Sequence, residues 1–144
     1  MSRPEQDVAH TNTRPTILVT DDAPEYLMLL GEILSPHYNV RIAGNGASAI
    51  ELAANAPQPS LILLDVEMPG MDGYEMCLAI KDSLRTRTIP VILLTTLSSP
   101  ANILQGLKSK ADYYLTKPYN SALLLARVQT LLERPPTPPD APSG

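Results

Sequence analysis

SLILLDVEMPGMDGYEM, residues 60–76, is the stretch whose reading decides the fold. It opens with four apolar residues, Leu61 to Leu64, closed by Asp65. Turn chemistry follows at Gly70, Asp72 and Gly73. The end of the stretch begins an amphipathic segment, residues 73–82, in which Met76, Ala79 and Ile80 fall together at helical spacing. An almost wholly apolar run of strand length suits a strand covered on both faces, as in a parallel sheet. The segment therefore reads as one strand-turn-helix unit with an acid at the carboxyl end of its strand.

The same unit recurs on both sides. Toward the amino terminus lie TILVT (Thr16 to Thr20) and NVRIA (Asn39 to Ala43); toward the carboxyl terminus lie PVILLT (Pro90 to Thr95) and YYLT (Tyr113 to Thr116). Pro24 is placed as a first helical residue, and Leu27, Leu30 and Leu34 then share a face. Residues 46–55 bring Ala49, Ile50 and Ala53 together, and residues 100–108 do the same for Ile103, Leu104 and Leu107. Asn120 is a plausible cap for a last helix carrying Leu124, Val128 and Leu131. Each apolar stripe is expected to cover a face of the sheet. Five strand-helix units are too few to close a barrel. The predicted fold is α/β: a flavodoxin-like doubly wound five-stranded parallel sheet, strand order 2-1-3-4-5, with helices on both faces.

The ends differ from this middle. Residues 1–14 are polar and aperiodic and read as a disordered tail, whereas residues 135–144, PPTPPDAPSG, read as a proline-rich tail or linker. The folded domain is expected over residues 15–134. Composition narrows the function. A formal charge of −4 without a dense Lys/Arg run argues against direct nucleic-acid or anionic-membrane binding. Cys77 is the one cysteine, and neither it nor His10 or His37 has metal-ligand spacing around it, so disulfide and zinc chemistry are not expected. No signal-peptide core and no long apolar span occur in the sequence, which implies a cytoplasmic protein.

In sheets of this class ligands bind at the carboxyl ends of the strands. Asp21 and Asp22 follow strand one, Asp65 ends strand three, Thr95 ends strand four and Lys117 follows strand five. Strands one, three and four are neighbours in the predicted order, so the three carboxylates would face one another across roughly 5 Å spacings. Such a cluster calls for a hard cation, and Mg²⁺ prefers one or two carboxylates, waters and a phosphate oxygen. Lys117 and Thr95 would supply a mobile positive charge and a hydroxyl donor. A carboxylate nucleophile, a metal and a cation are the parts that phosphoryl transfer needs. Blander readings exist for each residue alone: Asp22 as a helix cap, Lys117 as a solvated side chain, Thr95 as a β-branched strand residue, Gly70, Asp72 and Gly73 as turn residues only. Their joint placement at one sheet edge argues against them.

ILVTDDAPEY, LILLDVEMPGMDGYE, PVILLTT and DYYLTKPY, in this order, resemble the receiver domain of bacterial two-component response regulators, of the chemotaxis-regulator type, over residues 15–134. The resemblance implies that Asp65 is the phospho-acceptor, taking phosphate from a sensor histidine kinase or phosphotransfer protein. It implies Mg²⁺ held by Asp22 directly, by Asp21 mainly through water, by Asp65, and by the backbone carbonyl of Glu67, a role that does not depend on its side chain. Thr95 and Lys117 would contact the phosphoryl oxygens, Tyr114 would be the switch aromatic, and Pro118 matches a peptide bond that is commonly cis. Phosphorylation would pull Thr95 inward, let Tyr114 turn, and remodel the face made by the fourth helix, fifth strand and fifth helix, with Tyr119 near it. Partner binding by a downstream protein target or output domain would change, and a homodimer through the same face is admitted. The chain would not be a classical enzyme; self-catalysed phosphotransfer and autodephosphorylation at Asp65 would be its only reactions.

Three positions depart from the family pattern. Lys110 stands where Gly is frequent, so the loop before strand five is expected to differ in backbone. Thr96 stands where a small Ala is common, beside the phosphate, and Tyr119 replaces a frequent Phe. Competing readings are an aspartyl-nucleophile phosphatase, whose D-x-D-x-T pattern is here DDAPE, and a flavin binder, whose phosphate loop Asp21 and Asp22 would repel. A further alternative is a receiver fragment of a larger hybrid kinase or multidomain regulator.

Overall fold

The computed structural model describes residues 14–67, 72–96, 100–117 and 120–133. Five strands, β1 (Thr16–Thr20), β2 (Asn39–Ala43), β3 (Leu61–Asp65), β4 (Val91–Thr95) and β5 (Tyr113–Thr116), form one parallel sheet in the order β2-β1-β3-β4-β5. Between and after them run α1 (Pro24–Leu34), α2 (Gly46–Ala54), α3 (Gly73–Asp82), α4 (Pro100–Lys108) and α5 (Ser121–Glu133). This is the expected doubly wound arrangement, and strand four starts one residue later than its apolar run suggested.

The alternation of side chains along each strand divides the core in two. Ile17, Val19, Leu61, Leu63, Ile92 and Leu94 pack with Leu30 and Leu34 of α1 and Leu124 and Val128 of α5. Leu18, Ile62, Leu64, Val91 and Leu93 pack on the other face with Ala49 and Ala53 of α2 and Met76, Cys77 and Ile80 of α3. β3 and β4 are buried along their whole length, as their apolar sequences require. The edge strand β2 leaves Ile42 half exposed.

Two helix faces differ from expectation. In α3 Ala79 is exposed, and Tyr74 and Cys77 are buried instead, so the buried stripe is centred nearer the amino end of the helix than the Met76, Ala79, Ile80 reading placed it. In α4 the apolar stripe faces outward: Ile103, Leu104 and Leu107 are 43%, 52% and 71% exposed, and the helix docks through buried Gly106. A methyl group on Gly106 would come within 2.7 Å of Cδ2 and Cε2 of Tyr114, so the absence of a side chain there makes the slot for that ring.

The amino edge of the sheet is held by a polar knot. Lys81, at the end of α3, pairs with Asp112 at 2.7 Å and donates to the carbonyls of Ile89 (2.7 Å) and Arg87 (3.3 Å). Asp112 also accepts from the Val91 amide at the start of β4. Lys110 has φ 69°, in the left-handed region that favours glycine. That conformation closes the end of α4, where the Lys110 amide donates to the Leu107 carbonyl.

Candidate functional site at the carboxyl edge of the sheet

Asp65 is the last residue of β3 and is buried, 2% exposed; Asp21 follows β1 and is fully buried, while Asp22 beside it is exposed. β1 and β3 are adjacent, so the two strand ends deliver their acids to one place. One oxygen from each of Asp21, Asp22 and Asp65 lies within 4.8 Å of the others, which is the spacing of ligands around a single cation. Asp22 is not a helix cap. The N-cap of α1 is Ala23, whose amide donates to Asp21 Oδ1 at 3.0 Å.

Lys117, just past β5, reaches across the cluster. Its Nζ pairs with Asp21 Oδ2 at 3.0 Å and Asp65 Oδ1 at 3.1 Å. The same ammonium sits 4.0 Å from the centre of the Tyr26 ring on α1, a cation–π contact that aims it. The sequence reading missed Tyr26. Its signal was there, an aromatic in the first turn of the helix that starts beside the acidic pair, but nothing in spacing alone joins positions so far apart in the chain.

The electrostatics follow from burial and pairing. Burial raises the Asp65 carboxyl above its ordinary value, the hydrogen bond from Lys117 pulls it back, and the Asp21 charge adds to the rise. Burial alone would lower the Lys117 ammonium, but its hydrogen bonds to Asp21 and Asp65 outweigh this and hold it above its ordinary value. With all three acids ionised, one lysine leaves the cluster two charges short of neutrality, so the donor set fits a hard dication with oxygen ligands.

Thr95 ends β4 fully buried, and Tyr114 on β5 lies half-buried against α4, its hydroxyl 3.4 Å from that of Tyr74. Tyr74 in turn donates to the Asn102 carbonyl of α4. Glu67 is placed at the same edge, but its side chain is engaged where the sequence reading gave it no role: it accepts hydrogen bonds from Thr95 and Thr96. Gly73 also carries more than turn chemistry. A methyl group there would meet the Val66 Cα at 2.5 Å and the Asp65 carbonyl oxygen at 2.7 Å, so α3 can start this close to Asp65 only with glycine. Asp72 caps α3 by accepting from the Tyr74 amide at 2.8 Å. Gly70, Pro118 and Tyr119 lie outside the described residues.

The family model described as the response regulator receiver domain matches residues 17–129. The chain belongs to this receiver-domain family. A receiver domain is a phosphorylation-dependent signalling switch, found in response regulators and in hybrid histidine kinases. The response regulator PleD of Caulobacter vibrioides is 44% identical over 116 residues, covering 80% of the chain and 25% of PleD. Thus the receiver domain spans a quarter of that relative's length. The receiver domain of a signal transduction histidine kinase from Syntrophus aciditrophicus superposes with a TM-score of 0.76 at 39% identity, covering 82% of this chain and 89% of that one. The receiver domain of sensor histidine kinase PA1611 from Pseudomonas aeruginosa PAO1 gives a TM-score of 0.76 at 26% identity, covering 84% and 99%. That structure has a magnesium ion coordinated in its active site cleft. Among the described residues of the present receiver domain, no helix is long and apolar enough to cross a membrane.

Proposed function

We propose that Asp65 is the phospho-acceptor of a cytoplasmic signalling switch, charged by a sensor histidine kinase or phosphotransfer protein. The observation that carries this reading is the meeting of Asp21, Asp22 and Asp65 within 4.8 Å, with Lys117 bonded to two of them. An Asp65 oxygen attacks the phosphorus of a phosphohistidine, the P–N bond breaks with its electron pair returning to the imidazole, and an acyl phosphate forms. Asp21, Asp22, Asp65 and the Glu67 backbone carbonyl would hold Mg²⁺, which when bound neutralises oxygens on the group in transfer. Lys117 swings from the carboxylate pair to the phosphoryl oxygens, and Thr95 donates its hydroxyl to them. Water later cleaves the acyl phosphate and restores the carboxylate, so the chain is a switch with a lifetime and not a turnover enzyme.

The new group brings about 1.5 to 2 negative charges to the site. Thr95 moves toward it, Tyr114 and α4 respond, and the populations of two arrangements shift. The outward Ile103, Leu104 and Leu107 of α4 support the face of α4, β5 and α5 as the output surface. A downstream protein, an output domain of a longer chain, or a second copy of the receiver would read it.

Incubation with Mg²⁺ and acetyl phosphate tests the central step. Intact-mass measurement is expected to show one added phosphoryl group in the wild type and none in Asp65→Asn; an unchanged wild-type mass refutes the proposal.

A further inference from the structure

Glu67 projects from the loop after β3 toward the loop after β4 and makes a clasp there. Its Oε1 accepts from the Thr95 hydroxyl at 3.2 Å, the Thr96 amide at 2.8 Å and the Thr96 hydroxyl at 2.9 Å; Oε2 also accepts from the Thr96 hydroxyl, at 2.7 Å. The Thr96 hydroxyl has one proton to share between the two oxygens, a forked contact that the small residue common at this position in the family would lack.

We infer that the Glu67 side chain is a positioning residue, a latch that holds the Thr95 hydroxyl on the loop after β3 and so opposes activation at Asp65. A threonine hydroxyl has a single proton to donate. With Asp65 a plain carboxylate paired to Lys117, that proton points to Glu67; a phosphoryl group on Asp65 has to compete for it. Thr96 makes the competition harder, because its amide and hydroxyl anchor the carboxylate and keep it from following Thr95. The Thr96 side chain thereby sets the resting bias of the switch. This inference rests on the phospho-acceptor reading of Asp65.

The test is the affinity of the full chain for beryllofluoride, a phosphoryl mimic, in saturating Mg²⁺, followed by fluorine NMR. Thr96→Ala and Glu67→Ala are each expected to tighten binding about three- to tenfold, the scale of one or two hydrogen bonds. Thr96→Ser restores the hydroxyl and should bind as the wild type does. Glu67→Gln, which keeps an acceptor without the charge, should tighten less than Glu67→Ala. Before any addition, the Thr95 amide resonance should shift in Thr96→Ala and stay in place in Thr96→Ser. Wild-type affinity in Thr96→Ala overturns the latch, and so does equal tightening in the Gln and Ala variants, which would make charge repulsion the whole effect. Failure of the phospho-acceptor reading looks different: the wild type itself would not bind the mimic, or Asp65→Asn would bind it equally well.

Discussion

Gly73 has no room for a single added carbon, and this bears directly on Asp65, because the nearest atoms belong to the main chain of Asp65 and Val66. Gly73→Ala is expected to cost about 1–3 kcal/mol of stability, as overpacking typically does. The same substitution should weaken phosphorylation from acetyl phosphate, measured by intact mass, because backbone rather than a flexible side chain must move. Cys77 is the opposite kind of residue, buried and inert. Burial pushes its thiol up from an ordinary 9.0 to about 11, against weaker opposing effects of Ser109 and Lys81. Its raised value means that the thiol's contribution is fully present below pH 9.0 and is lost as pH rises through about 11, since only the unfolded thiol ionises early. A loss of roughly 2–3 kcal/mol over that window is expected from denaturant melts, reduced in Cys77→Ala when each is referred to its own neutral-pH value. Residue types told much of this site in advance: Asp21, Asp22, Asp65, Thr95 and Lys117 were found because the strand pattern put them on one edge. Tyr26 and the Glu67 side chain were not, since a cation–π contact and a hydrogen-bond clasp depend on rotamers and not on spacing.

Helical periodicity shows that an apolar stripe exists without saying which way it faces. In α1, α2 and α5 the stripe is turned inward, and the sequence reading of those helices matches their packing. In α4 the buried contact is made by Gly106 against Tyr114, and the larger apolar residues are left to solvent. No hydrophobicity pattern marks a glycine as the docking residue. Gly106→Ala is expected to push the Tyr114 ring out of its slot and part it from Tyr74. Loss of cross-peaks between the two rings in NMR would show the displacement; unchanged cross-peaks would mean that α4 moves aside instead. A similar limit applies to Lys110, where the left-handed backbone is retained by a residue that pays about 1–2 kcal/mol for it.

At the scale of the whole molecule the fold was legible because five apolar runs alternate with five helical stretches, and the handedness and connection rules leave few ways to assemble them. The three acids brought together by that assembly carry a stability consequence. A cation that binds them in the folded chain alone stabilises it by mass action. Thermal melts should therefore show a Tm that climbs with Mg²⁺ concentration in the wild type and stays flat in Asp22→Ala. An equal rise in both would mean that the ion acts elsewhere.

Lys81 and Asp112 make one end of β4 unlike the other. Its root is bolted to α3 and to the entry of β5 by an ammonium gripping two carbonyls and a carboxylate, whereas its tip ends at Thr95. β4 is therefore tied at its base by charge as well as by the strand ladder, at the end of the sheet away from the acids.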